Sequence, residues 1–175
     1  MTRYAAFLRG VNLGKRTVKS ADLKSAFEAM GFGDVKTLLA SGNVLFDSKA
    51  GKGLKEKIEA GLKLRFGFEV GTVLRSIDEL KAMVRTDPFK GVVETDAVKL
   101  HVMLFDQSRP PGMKLEGLAG DFDFPPAADR EVFIYAYRKP DGTYLGGSQL
   151  DVEKKLPKGT LVTSRNWNTI LKAIA

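Results

Sequence analysis

The sequence predicts an α+β fold made by tandem duplication of two ferredoxin-like βαββαβ units whose antiparallel sheets pack together. One order of strands and helices recurs in residues 1–90 and 97–175, and a short closing motif recurs with it, which indicates a duplicated unit. The composition, 43% apolar and 28% charged residues in a chain of 175, is that of a folded globular protein. The joint near residues 86–96 is too short and apolar-flanked for a free linker, so one compact domain is an alternative description.

The first unit opens with a continuous apolar run at residues 4–8, which predicts a strand buried on both faces. Ser20 is predicted to cap the helix that follows, and Gly31 to end that helix. Ser76 and Glu79 form a capping box that starts a later helix. Between these helices the sequence predicts strands at 35–40 and 44–46, a helix at 54–66 and a strand at 70–74.

The second unit is predicted to repeat this order. Its elements are strands at 98–105, 131–137, 143–145 and 160–163, a glycine-interrupted helix at 110–119, and helices that start at Ser148 and at Asn166. The run Lys-Pro-Asp-Gly at 139–142 predicts a tight turn. The tripeptides at 75–77 and 165–167 close the two units alike, each with an arginine, a capping residue and an apolar residue.

Composition also excludes several kinds of chemistry. The chain has no cysteine, which rules out disulfides, thiolate nucleophiles and zinc–thiolate clusters. It has one histidine, His101, so a site with two histidine ligands cannot form within one chain, and any serine–histidine triad must use His101. We therefore expect no metal and no cofactor. No apolar run is long enough to span a bilayer and no signal segment is evident, so we expect a cytoplasmic protein without a membrane partner.

The positive charge is concentrated in the first half. The net charge is +7, of which residues 1–95 carry +6 and residues 96–175 carry +1. The first 19 residues hold five basic side chains and no acid. Such a cluster favours anionic partners such as phosphate esters or nucleic acid, with an ordinary solvated surface as the alternative.

Topology then predicts that two polar segments are neighbours. In a ferredoxin-like unit, the loop after the first strand and the hairpin between the second and third strands lie at one end of the sheet. Here these segments are the basic loop 10–19 and the turn 41–43. Three residues lie between the loop's first two glycines, where a phosphate loop has four, and Arg16 stands where a phosphate loop needs a hydroxyl, so nucleotide hydrolysis is excluded. A looser anion site remains, with backbone amides, Lys15 and Arg16 as donors, against the alternative of a plain surface connection.

The start of the last helix is a second candidate anion site. Unpaired amides at a helix N-terminus attract anions, and the adjacent Arg165 adds a bidentate donor. The alternative is structural, with Asn166 as a simple cap and Trp167 as a core anchor. A shared cap at residues 75–77 favours the structural interpretation.

Two further features allow a functional and a structural interpretation. Phe133, Tyr135 and Tyr137 share one strand face, which suggests a base-stacking platform, although burial in the core is the favoured alternative. His101 alternates with apolar residues on its strand and is a candidate general base or a packed residue. The carboxylates show no paired spacing typical of a metal site.

Motifs along the chain resemble those of a known family. They read RYAAFLRGVNLG at the start, then LASGNVLFDS, then VLRSIDEL followed by DPF, and TSRNWNTILKAIA at the end. In this order they are similar to the bacterial family DUF1697 over nearly the whole chain. The resemblance implies an α/β fold of this size and an uncharacterised function, with no established catalytic residues. The segment 138–147 departs from the family's plain glycine-centred turn, which argues against a role for it in a shared site.

The leading hypothesis is a binding protein, non-catalytic or weakly catalytic, for a phosphorylated small molecule or nucleic acid. Its ligand-binding residues are predicted to be Arg9, Gly10, Asn12, Gly14, Lys15, Ser41, Gly42, Asn43, Arg165, Asn166, Trp167 and Asn168. An enzyme acting on a small molecule in the cleft between the halves is the alternative, and a protein-interaction module is a third. The oligomeric state is left open.

Overall fold

A computed structural model describes residues 1–12, 16–39, 42–144 and 152–175. The chain divides into two compact units. The first consists of residues 1–82 with residues 171–175, and the second of residues 83–170. This division lies a few residues before the predicted joint at 86–96.

The first unit contains a four-stranded antiparallel sheet. Its strands are β1 (Thr2–Arg9), β2 (Gly33–Thr37), β3 (Asn43–Ser48) and β4 (Gly71–Ser76). Their order across the sheet is β2-β3-β1-β4, with β1 antiparallel to both β3 and β4. This is the strand order of a ferredoxin-like unit, and it confirms the predicted fold class.

Helices α1 (Ser20–Ala29) and α2 (Leu54–Phe66) supply the core over one face of this sheet. Phe27 of α1 and Ile58 and Leu62 of α2 are fully buried in that core. Their spacing places them on the apolar face of their helix. The predicted cap of α1 is wrong by one residue. Lys19 occupies the N-cap position without a side-chain hydrogen bond, and Ser20 is the first helical residue.

A close approach of the two helices explains the glycine inside α2. A Cβ added at Gly61 would lie 2.5 Å from Sδ of Met30, the residue that ends α1. Gly61 therefore costs α2 about 1 kcal/mol in helix propensity. In return, it leaves room for the side chain of Met30 at the end of α1.

The capping box is present as predicted at the start of helix α3 (Ile77–Arg85). The amide of Glu79 donates to Oγ of Ser76 at 3.1 Å, and the amide of Ser76 donates to Oε2 of Glu79 at 2.7 Å. Two of the amides that a helix start leaves unpaired are thereby satisfied.

The second unit contains a sheet with the same strand order. Its strands are β5 (Val98–Phe105), β6 (Phe122–Asp123), β7 (Glu131–Tyr137) and β8 (Val162–Asn166), arranged β6-β7-β5-β8. Helix α4 (Trp167–Ile174) follows β8 directly. Two four-stranded antiparallel sheets of equivalent order are consistent with the predicted duplication.

Three predictions within this unit need correction. The predicted helix at 110–119 does not form, because Pro110, Pro111 and Gly112 open the segment and cannot sustain helical hydrogen bonding. The turn at 139–142 is present, with the amide of Lys139 donating to the carbonyl of Thr143 at 2.8 Å, but no strand begins at Thr143. The true second strand is the short β6, so the strand at 131–137 is the third.

The helix predicted from Ser148 lies partly outside the described residues. Within the part that the structure describes, residues 152–154 form a single helical turn. Across the described ranges of the chain, no helix has the length and apolar character required to cross a lipid bilayer.

Replacing Ser76 with alanine should lower the free energy of unfolding by about 1 kcal/mol, because the first-turn amide of Glu79 loses its acceptor. Urea unfolding followed by circular dichroism measures the change. Ser25→Ala is the matched control, since Ser25 is exposed within α1 and alanine is the better helix former there. An equal loss in both variants would contradict the role of the capping box.

Candidate functional site

The loop after β1 and the turn before β3 lie at one end of the first sheet, as their topology predicts. The amide of Leu8 donates to the carbonyl of Gly42 at 2.8 Å, and Phe7 pairs with Asn43 across the two strands. Arg9 ends β1 at this point, and Gly10 continues the chain with a φ of 86°. The described parts of the two segments are therefore in direct contact. The predicted site residues Gly14, Lys15 and Ser41 lie outside the described residues.

Gly42 is required at this contact for two reasons. Its φ of +65° is a conformation that other residues rarely adopt. An added Cβ would also lie 3.2 Å from both the Cβ and the carbonyl oxygen of Leu8 and 3.4 Å from Cγ2 of Val11. The glycine thus permits the turn to pack closely against the loop.

The two asparagines of this region hold the backbone in place. Oδ1 of Asn12 accepts a hydrogen bond from the amide of Val18 at 2.9 Å, which closes the basic loop on itself. Nδ2 of Asn43, a buried residue, donates to the carbonyl of Leu38 at 3.1 Å. Their contribution to a ligand site is therefore to shape the loop and the turn.

Basic side chains dominate the surface beside this contact. Arg9 and Lys19 are exposed, and the guanidinium of Arg16 lies 4.5 Å from the ring centre of Phe68. Asp22, in the first turn of α1, is an acid close to them in sequence. Glu69 follows Phe68 and is paired with Lys63 at 3.3 Å. The described charges of this loop region favour an anion over a cation.

The second predicted cluster, residues 165–168, lies in the second unit and is engaged in internal contacts. Nη1 of Arg165 donates to Oγ1 of Thr163 at 2.6 Å and to the carbonyl of Ser164 at 2.8 Å. Trp167 is buried, with its ring 5.1 Å from that of Phe89 and 6.0 Å from that of Phe133. Trp167 is therefore a core anchor.

Glu94 is the residue that sequence reasoning missed. Its Oε1 accepts from Nδ2 of Asn166 at 2.8 Å and from the amide of Leu100 at 3.1 Å, and its Oε2 accepts from Nδ2 of Asn168 at 2.6 Å. Oδ1 of Asn166 also caps α4 by accepting from the amide of Asn168 at 2.8 Å. An internal carboxylate thus binds the side chains of both asparagines in the cluster that the sequence offered to an external anion. More than 70 residues separate Glu94 from the asparagines it binds, and no local motif reveals such a pairing.

His101 lies beside this network. It is the partner of Asn166 in the β5–β8 register and is only partly exposed. Burial lowers the pKa of His101 below its ordinary value of 6.5; the Glu94 carboxylate opposes this shift and Lys99 adds to it. The imidazole is therefore neutral at pH 7 and able to accept a proton.

The aromatic face of β7 packs within the second unit. Phe133 is buried, and its ring meets the edge of Phe89 at a centroid distance of 5.7 Å. The hydroxyl of Tyr135 donates to the carbonyl of Phe89 at 3.0 Å. Burial, followed by the charge of Tyr137 and of nearby acids, raises the pKa of Tyr135, so its hydroxyl stays protonated. Phe133 is thus placed as a core residue rather than as a platform for stacking bases.

Within the described ranges, no group of three or more histidine, aspartate or glutamate side chains could hold a metal ion. Asp121 is paired with Lys139 at 3.4 Å, and Oδ1 of Asp123 accepts from the amide of Phe124 at 2.8 Å. The first contact joins the residue before β6 to the chain that follows β7, and the second lies where β6 ends.

Comparison with known proteins identifies a family and a fold. Residues 1–123 match the model of a family described as "Protein of unknown function (DUF1697)". A solved structure of the conserved bacterial protein SP0830 from Streptococcus pneumoniae has a TM-score of 0.66 and 21% sequence identity, and the match covers 98% of this chain and 96% of that chain. At this identity the likeness shows a shared fold. A comparison with curated proteins finds no match.

Replacing Gly42 with alanine should lower the free energy of unfolding by more than about 1 kcal/mol, because positive-φ strain adds to the contact with Leu8. Gly67→Ala is the control. Gly67 has a φ of +80° and nothing within 4 Å of an added Cβ. The decrease in the free energy of unfolding in Gly67→Ala therefore reports the φ strain alone. Urea unfolding measures both changes, and a loss at Gly42 no larger than that at Gly67 would contradict the close contact.

The pKa of His101 should lie below 6.5 in the folded protein, and NMR can follow it directly because the chain has one histidine. Glu94→Gln should lower the pKa further, and Lys99→Gln should raise it, since each removes one charge. Because the folded pKa is depressed, stability is retained above 6.5 and is lost as pH falls from 6.5 toward the folded pKa. A shift of the same sign in both variants would contradict the assigned causes.

Proposed function

The chain belongs to the DUF1697 family, and from this premise we propose that it binds an anionic ligand, a phosphorylated small molecule or nucleic acid, at the loop end of its first unit. One observation carries the proposal. The hydrogen bond from Leu8 to Gly42 holds the 42–43 turn against the end of β1, where the loop that carries Arg16 and Lys19 begins. We expect the protein to act in the cytoplasm.

The physical argument combines charge and backbone geometry. Arg9, Arg16 and Lys19 attract an anion over several ångströms, and a guanidinium can bind two oxygens of a phosphate at once. Gly10 allows a bound group to approach the backbone closely, because it lacks a side chain. Gly42 contributes differently, by letting the turn pack against Leu8 and Val11. In this proposal Asn12 and Asn43 shape the site, while Gly14, Lys15 and Ser41 complete it.

The cluster at residues 165–168 has a different role in this proposal. Glu94 already supplies a negative charge to the amides of Asn166 and Asn168. A second anion at the same groups would meet electrostatic repulsion from that carboxylate. We therefore assign the contacts with the ligand to the first unit alone.

Binding of a fluorescent 20-nucleotide single strand, measured by anisotropy over a series of salt concentrations, tests the proposal. Affinity should fall as salt rises, since bound cations are released from the phosphates. Lys19→Ala should reduce the slope of log affinity against log salt by about 0.7, the contribution of one contact to a single strand. Competition by a sugar phosphate at millimolar concentration would favour a small phosphorylated ligand over nucleic acid.

Lys49→Ala is the matched control for this experiment. Lys49 is equally an exposed lysine, but it follows β3 at the opposite end of the sheet from Arg9. Its removal makes the same change in net charge and should leave the slope unchanged. Equal effects of the two substitutions, or no binding at low salt, would refute a site at the loop end.

A second candidate function is an enzyme that uses His101 as a general base. The observation that favours it is a neutral imidazole beside the hydrogen-bonded Glu94 carboxylate, an arrangement that suits proton abstraction. A screen of simple ester and phosphate-ester substrates tests it. Activity should rise with pH through the pKa of His101 and disappear in His101→Asn, and activity retained in that variant would exclude the mechanism.

A further inference from the structure

The two units cover the equivalent face of their sheets in different ways. In the first unit α1 and α2 fill this space with buried aromatic and aliphatic side chains. In the second unit the segment between β5 and β6 contains Pro110-Pro111-Gly112 and has no helix. Of the described residues between β7 and β8, 152–154 are helical. A loop therefore connects β5 to β6, where α1 connects β1 to β2 in the first unit.

A cavity of about 690 Å³ occupies this region of the second unit. Its apolar lining includes Met113, Leu118, Phe122, Phe124, Val152 and Leu156. The rings of Phe122 and Phe124 meet edge to face at a centroid distance of 5.4 Å. Most of these side chains also pack against the buried core of the second sheet. The size and the predominantly apolar wall are those of sites that bind small molecules in proteins.

The charged groups on the cavity wall set the polarity of an occupant. Among the described residues of its wall, the charged side chains are Lys114, Lys155 and the acid Glu116. Neither lysine forms an ion pair with another residue that the structure describes. The two ammonium groups outnumber the one carboxylate in this described part of the wall, which favours a ligand with a single negative charge.

We propose that this cavity binds a small amphiphile with an apolar body and one anionic headgroup, of the chemical class of medium-chain carboxylates. The chain of the amphiphile lies against Phe122, Phe124 and Met113, and its headgroup faces Lys155 and Lys114. This site lies within the second unit and uses no residue of the loops in the first unit. It therefore holds or fails independently of the anion site proposed above.

Isothermal titration of the full-length protein with decanoate tests the proposal. Decanoate should bind saturably at one site per chain, and 1-decanol should bind several-fold more weakly because it lacks the charge. Met113→Trp should abolish binding by filling the cavity, with circular dichroism as the check on folding. No saturable binding of decanoate, or equal affinity for 1-decanol, would overturn the proposal.

A pair of charge reversals tests the headgroup contact without disturbing the core. Lys155→Glu should weaken decanoate binding by roughly threefold to tenfold, as expected for reversing a partly solvated charge next to an anion. Lys154→Glu changes the net charge equally, but Lys154 does not line the cavity, so its effect should be small. Equal weakening of decanoate binding in the two variants would show that the overall charge of the protein causes the effect, and it would refute the site.

Discussion

The pairing of β1 with β3 on one side and β4 on the other is the constraint on which the first unit depends. Because β1 is antiparallel to both neighbours, its carboxyl end meets the start of β3 and the start of β4. The Leu8–Gly42 hydrogen bond extends this pairing by one step into the turn. The basic loop is thereby fixed beside a glycine turn, and the proposed anion site follows from the ladder of hydrogen bonds rather than from any single side chain.

The second unit has the same strand order, and its β8 leads directly into α4 as β4 leads into α3. At the second of these junctions Glu94 binds the asparagines from a distant part of the chain. A buried or half-buried carboxylate requires such partners, since an unpaired charge would be costly away from water. The network therefore accounts for both asparagines of the motif at 166–168 and leaves His101 beside a fixed negative charge. The connection between the first two strands also differs, since it contains a helix in the first unit and a loop in the second.

Errors in the sequence-based prediction had physical causes. The stretch at 131–137 carries every mark of a strand, but its position in the sheet depends on pairing with β5 along its full length. The preceding strand, β6, has only two residues and leaves no periodic signal to detect. The prediction of a helix at 110–119 rests on the expectation that the second unit repeats the order of the first, against the local rule that proline and glycine disfavour helices. There the local rule was the better guide.

Local signals in the sequence determined the α+β class, the extents of β1, α2 and β5 to within a few residues, the capping box at Ser76 and the meeting of loop and turn. The elements and the capping box follow from backbone stereochemistry and side-chain periodicity, which act over a few neighbouring residues. The meeting of loop and turn follows from the topology that this order of elements implies. Tertiary structure alone decided that Glu94 binds Asn166 and Asn168, that Trp167 packs on Phe89, and that a cavity opens over the second sheet. Those outcomes depend on which surfaces meet after folding, and contacts between residues distant in sequence leave no pattern in a single chain.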